Sequence, residues 1–126
     1  MPDKETLHEA VRAWKGRKVV VLGDMILDEF IYGRTDRVSR EAPVVIVRYD
    51  GSGHNPGGAA NAAQNIASLG GRALPVGAVA RDESGRSLRD YFRSMGIPTG
   101  GLLALSGRPT TTKTRLMAGD FHAQRQ

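Results

Sequence analysis

The sequence predicts an α/β protein: a parallel sheet wound on both faces by helices. Three observations carry that expectation. Lys18-Val19-Val20-Val21-Leu22 is apolar on both faces, as buried parallel strands are. Ala59 through Ser68 has helical periodicity and opens directly after Gly57-Gly58. Strand-like and helix-like stretches then alternate along the chain, the order that gives right-handed crossovers in a parallel sheet.

The bulk properties narrow the class. A chain of 126 residues suffices for one domain, or part of one, and not for two of ordinary size. Its 18 lysines and arginines against 13 acids give a formal charge of +5. They are dispersed, with Arg34, Arg37 and Arg40 interrupted by Asp36 and Glu41, and Arg81, Arg86 and Arg89 by Asp82, Glu83 and Asp90. Without a basic block or aromatic interleaving, no nucleic-acid partner is expected. No apolar run approaches the ~20 residues of a membrane span, and Met1-Pro2-Asp3-Lys4-Glu5 lacks the basic-then-apolar order of a signal peptide. The expected setting is the cytoplasm, with no membrane partner. Absence of cysteine excludes disulfides and thiolate chemistry, and His8, His54 and His122 are too scattered for a protein-held metal site.

Taken in order, Leu7, Ala10, Val11 and Trp14 mark an amphipathic helix closed by Gly16, read as a packing element. Residues 18–22 read as the first central strand. Gly23-Asp24-Met25-Ile26-Leu27-Asp28 follows at that strand's carboxyl end, where open α/β sheets collect ligands. Asp24 and Asp28 are the polar candidates there: Asp24 reads as turn chemistry beside a glycine ahead of a ligand role, and Asp28 as a ligand ahead of a solvated strand-end acid. Residues 29–32 and 44–49 are rich in strand formers and are separated by Gly33, Ser39 and Pro43. They predict a small excursion of strands with an apolar face to cover, either a closing lid or a dimer contact.

The glycine-led helix comes next. Two glycines let the backbone pass close to a partner, and the helix start leaves unpaired N–H groups. Asn61, Gln64, Asn65 and Ser68 share one face, while Ala59, Ala63, Ile66 and Ala67 form a slim apolar face. A polar ligand site and a tightly packed, ligand-free βα connection both meet this pattern. Gly70-Gly71 ends the helix. Residues 73–79 read as a strand, and Asp82 or Ser84 caps a helix whose buried stripe is Leu88, Tyr91, Phe92 and Met95, before Gly96. Residues 102–105 and 111–117 are further strands. In the second, Lys113 and Arg115 share a face, either as a solvated edge or as a place to meet an anion. A further strand or turn begins at 121–126.

Nucleotide motifs fit poorly. Gly51-Ser52-Gly53-His54-Asn55-Pro56 puts proline where a dinucleotide fingerprint needs its third glycine, and no P-loop occurs. No histidine stands beside a serine in a nucleophile-base motif, so no catalytic residue is assigned to this chain.

The ordered combination Gly23 through Gly33, Ser39-Arg40-Glu41-Ala42-Pro43-Val44, and Gly57-Gly58-Ala59-Ala60-Asn61 through Gly70 resembles the ribokinase-like (PfkB) carbohydrate kinases. Within them it is most similar to the heptose 7-phosphate kinase subgroup, whose kinase domain is often fused to an adenylyltransferase. Pro109 through Arg115 and Gln124-Arg125 also look like that subgroup. The resemblance implies the N-terminal part of a doubly wound α/β sheet with a small β lid at about residues 29–49. It also implies ATP-dependent phosphorylation of a sugar hydroxyl, here C1 of D-glycero-D-manno-heptose 7-phosphate, on the way to ADP-heptose and lipopolysaccharide core. By position it makes Asp28, Gly57, Gly58 and Asn61 sugar-binding residues, and Lys113 and Arg115 candidates for the substrate's anionic end. A homodimer through the lid strands is implied too.

One departure is large. The family's Gly-Ala-Gly-Asp loop, which carries the catalytic base, is absent, as is the half that holds ATP and Mg2+. The expectation is therefore that residues 1–126 are an N-terminal portion of the kinase domain. Alone, such a portion would bind no cofactor, bind sugar poorly and turn nothing over. The competing expectation is a noncatalytic sugar-binding or lid-mediated dimerisation module.

Overall fold

The structure is a computed structural model that describes residues 1–119. The element expected at 121–126 and the Gln124-Arg125 pair lie outside the described residues. Helix α1 (Lys4–Arg12) begins where the Asp3 carboxylate accepts the Thr6 amide at 2.8 Å, a side-chain cap on an otherwise orphaned donor. Leu7, Val11 and Trp14 remain exposed and no residue of α1 is buried, so its apolar stripe does not do the packing that its periodicity predicts.

Strands β1 (Lys18–Leu22), β4 (Arg72–Ala80) and β5 (Leu102–Leu105) form a parallel sheet in the order β1-β4-β5. Among the described residues the middle strand of this sheet is therefore β4, and residues 18–22, read as the first central strand, stand at its edge. On β1, Val20 is 64% and Leu22 79% exposed, while Val21 packs against the core. An all-apolar strand reports what its faces tolerate, not which neighbours it has.

Helix α2 (Ala59–Ser68) lies over this sheet, and Ala60 and Ala63 are wholly buried because a methyl is all that the close approach admits. It ends at Gly70, whose φ of 86° is the left-handed conformation expected there. Helix α3 (Glu83–Ser94) buries Leu88 and Phe92 completely, with Tyr91 and Met95 packed at the margin. Of its two expected caps, Asp82 is the one used: its carboxylate accepts from the Gly85 amide at 2.8 Å.

Strands β2 (Met25–Val38), β3 (Val45–Gly58) and β6 (Thr112–Ala118) form a second sheet in the order β3-β2-β6. β2 and β3 are antiparallel, and β2 and β6 parallel. The expected short excursion at 29–32 and 44–49 is thus the outer part of one long hairpin that runs back to the start of α2. Gly51, Gly53, Asn55 and Pro56 are residue types depleted in strands, yet β2 pairs with all of them. That register joins the hairpin to the core, because Met25 and Leu27 at its base are 1% and 3% exposed. Among the described residues no helix is long and apolar enough to cross a membrane.

Candidate functional site

The strand alternation of β2 sorts its side chains into two sets. Met25 and Leu27 belong to the core, and the same set continues outward as Glu29 and Ile31. Ile26, Asp28, Phe30 and Tyr32 form the other set. Asp28 lies within β2, not in a loop after β1, and stands between Asn55 on β3 and Lys113 on β6 as register partner of both.

Around Asp28 the packing is close. An added Cβ on Gly57 would lie 2.9 Å from the Asp28 Cγ and Oδ1, so the carboxylate occupies the room that any larger residue at 57 would need. On the other side, Arg115 Nη1 is 3.3 Å from Asp28 Oδ2, with both side chains about four-fifths buried (19% and 22% exposed). The guanidinium also sits 5.1 Å from the centre of the Phe30 ring, which stacks in turn on Tyr32 with centroids 6.4 Å apart. Arg115 Nη1 is buried and makes no hydrogen bond: the ion pair is close, but not aligned as a donor to the carboxylate.

The two glycines differ. Gly58 has φ 56°, and a Cβ there would come 2.7 Å from the Asp24 carbonyl oxygen. That same oxygen accepts from the Ala59 amide at 3.0 Å, so Asp24 contributes its backbone to the turn that launches α2, in keeping with its reading as turn chemistry. No side chain caps α2 at Gly58. The helix start beside the Asp28–Gly57 contact thus has its first amide, Ala59, paired to backbone and no side-chain acceptor for those that follow, and Asn61 is exposed on its first turn. The structure thus joins Asp28, Gly57 and Arg115 directly, places Lys113 beside Asp28 by register, and leaves Gly58 and Asn61 at the adjoining helix start.

Sequence reasoning missed Asn55 and Phe30. Phe30 follows Asp28 at the two-residue spacing that shares a strand face, a signal that was available. Asn55 carries no signal of its own in the sequence, and only its pairing opposite Asp28 brings it to the site. The alternate set carries a separate polar group, in which Glu29 accepts from Thr114 Oγ1 at 2.7 Å and lies 3.4 Å from His54 Nε2. The Thr114 hydroxyl, with a smaller contribution from His54, holds the Glu29 carboxyl below the usual carboxylate range. Among the described residues, no three histidine or acidic side chains are grouped to hold a metal ion.

Residues 17–125 match the sequence pattern described as pfkB family carbohydrate kinase. The chain belongs to that family. Among curated relatives it is 43% identical over 115 residues to the "Bifunctional protein HldE" of Koribacter versatilis, covering 91% of this chain and 24% of that protein. It is 41% identical over 117 residues to the protein of the same name from Mesorhizobium japonicum, covering 93% and 24%. The chain thus spans about a quarter of the length of the curated relatives it matches. Among solved structures, Arabidopsis thaliana ribokinase complexed with ribose and ATP superposes with a TM-score of 0.65 at 17% identity, over 84% of this chain and 33% of that one. A carbohydrate kinase from Agrobacterium tumefaciens gives 0.62 at 20% identity over 82% and 32%. Such low identities show the fold, which is the ribokinase-like α/β fold of the pfkB family.

Proposed function

We propose that this pfkB-family chain supplies the sugar-binding and lid half of an ATP-dependent sugar kinase that phosphorylates D-glycero-D-manno-heptose 7-phosphate at C1, feeding ADP-heptose synthesis. One observation carries the reading: an acid, a glycine backbone and an arginine meet within contact distance at an uncapped helix start. That set answers a molecule bearing both hydroxyls and a phosphate. Sugar hydroxyls donate to the Asp28 carboxylate, and the Asn61 amide both donates and accepts. Gly57 and Gly58 let the ring approach backbone, and Lys113 and Arg115 neutralise the substrate phosphate.

The outer hairpin, about residues 29–49, closes over the sugar and excludes water, so that the phosphoryl donor is not hydrolysed. ATP, when bound, supplies the phosphoryl group. The described residues do not fit ATP or Mg2+: they include no acid cluster for the metal and no phosphate-cradling glycine loop. The chain's own part is to bind, orient and shield. A second copy would cover the exposed apolar side chains of the hairpin tip, making a homodimer, to be checked by sedimentation velocity.

Asp28→Ala in the full-length enzyme tests the reading. We expect the KM for sugar to rise by about 100-fold, the scale set by leaving several donors unpaired, with the KM for ATP nearly unchanged. An unaltered sugar KM would remove Asp28 from the site and with it the proposal.

A further inference from the structure

Asp82 makes far more contacts than a helix cap needs. Its Oδ1 accepts from the Gly85 amide at 2.8 Å and also from Thr110 Oγ1 at 2.7 Å, while Oδ2 accepts from the Thr110 amide at 2.8 Å. Thr110 Oγ1 accepts in turn from the Ala80 amide at 2.8 Å. Thr110, 4% exposed, is the buried polar side chain among the described residues, and every polar atom of this knot has a partner. No side chain fits at Gly85, where an added Cβ would strike the Ala80 carbonyl and come 2.8 Å from Thr110 Oγ1.

The knot lies immediately before β6. Residue by residue, Thr110 is held by Asp82, the Thr111 carbonyl accepts from the Leu27 amide at 2.9 Å, and Thr112 Oγ1 is 3.1 Å from Ser84 Oγ. The next residue, Lys113, is the register partner of Asp28, and Arg115 follows. The β4–α3 junction of the parallel sheet thus grips the entry to a strand that belongs to the other sheet. Strand register has a period of two, so a slip of one residue would turn Lys113 and Arg115 to the opposite face and bring Thr112 and Thr114 to Asp28.

We propose that Asp82, acting through Thr110, is a positioning residue: it sets the register of β6 on β2, and so fixes Lys113 and Arg115 as the phosphate-facing end of the sugar site. The inference rests on the proposed role of those two cations. It adds a determinant of selectivity for phosphorylated over unphosphorylated sugar that touches no substrate.

The test uses the full-length enzyme with Asp82→Asn, Thr110→Val and Thr110→Ser, and with Ile97→Ala as a variant that weakens the same core at a residue outside the knot. Losing the charge-assisted bonds should raise the KM for the sugar 7-phosphate about tenfold in Asp82→Asn and Thr110→Val. The KM for ATP should stay within about twofold, and that for unphosphorylated heptose should rise several-fold less than that for the 7-phosphate, because it feels Arg115 only through Asp28. Thr110→Ser, which keeps the hydroxyl, should restore selectivity, and Ile97→Ala should leave it at the wild-type ratio. Hydrogen exchange of the peptide spanning 112–118 should accelerate in Asp82→Asn and Thr110→Val only. Unchanged exchange there would overturn the positioning role, whatever the sugar kinetics. Accelerated exchange with unchanged selectivity would overturn the assignment of Lys113 and Arg115 to the phosphate instead. Should Asp82→Asn fail to fold, the Thr110 pair decides the matter by the same readouts.

Discussion

The two sheets of this chain are held together by different physics. The parallel sheet β1-β4-β5 is fastened by apolar burial: Val79 on β4 is 2% exposed, and Leu88 and Phe92 on α3 are both 0% exposed. The hairpin sheet β3-β2-β6 is fastened by backbone pairing, and toward its tip by surface ion pairs such as Arg34–Asp50 at 2.9 Å and Arg48–Asp36 at 3.2 Å. Pairs of that kind contribute little, and a two-stranded ribbon alone is marginal in water. The hairpin is therefore firm at its base, where Met25 and Leu27 enter the core and β6 adds a third strand, and compliant beyond Gly33. The candidate site stands at the junction of the two regimes. Asp28 stands near the core-anchored base of the hairpin, while the tip has no such anchor.

The largest effect that separates the regimes is loss of the aromatic core. Phe92→Ala should destabilise the chain by about 3–5 kcal/mol, the usual result of removing a fully buried ring, read as a lower urea midpoint with the slope unchanged. A loss under about 1 kcal/mol would mean that the hairpin, not the helix-covered sheet, carries the stability. Next comes the junction. Gly57→Ala places a methyl carbon against the Asp28 carboxylate, at the 2.9 Å now separating that position from Cγ. We expect a stability cost of about 1–2 kcal/mol and a fall in sugar affinity of tenfold or more in the full-length enzyme, as Asp28 is pushed off Arg115. Equal losses of sugar and ATP affinity would show that the glycine serves only the fold.

Legibility followed the same division. The helices, with their stops at Gly70 and Gly96, the Asp82 cap and strand β5 were all readable, because periodicity and local caps are written within a few residues. The length of the hairpin was not. Gly51, Gly53 and Pro56 carry the letters of a loop, and only pairing with β2 makes them a strand. The standing of β1 as an edge strand was equally hidden, since an apolar run does not name its neighbours. For the site, Asp28, Gly57 and Arg115 were named from the sequence and are brought together. Asn55 needed the register, and the Asp82–Thr110 knot joins residues 28 apart with no shared motif.

Acid should sharpen the contrast. The Thr110 hydroxyl, then the Thr110 and Gly85 amides, hold the Asp82 carboxyl below the usual carboxylate range despite its burial. A depressed folded-state value means that the unfolded chain binds the extra proton. Its contribution is then complete above the ordinary carboxylate pKa and is lost as pH falls through the lower folded value. The Asp82→Asn chain should show a flatter acid limb of stability against pH than wild type. Glu29→Gln in the hairpin should flatten it less, because Glu29 is tied by a hydroxyl and a histidine without backbone amides. If Glu29→Gln removed the larger share, the hairpin would hold more of the polar stability than the junction.

The smallest stability effect belongs at the tip, where Val38 and Val45 face each other as register partners and are 62% and 56% exposed. Val45→Lys removes no buried contact within the chain, so its cost should stay within about 0.5 kcal/mol. If a second copy covers this pair, as proposed for the full-length enzyme, the same substitution puts an unpaired charge into an apolar contact. Its cost would then grow with protein concentration, and sedimentation velocity would show the slower species gaining. A small, concentration-independent change with unaltered sedimentation would assign these valines to a free lid and leave the tip without a partner.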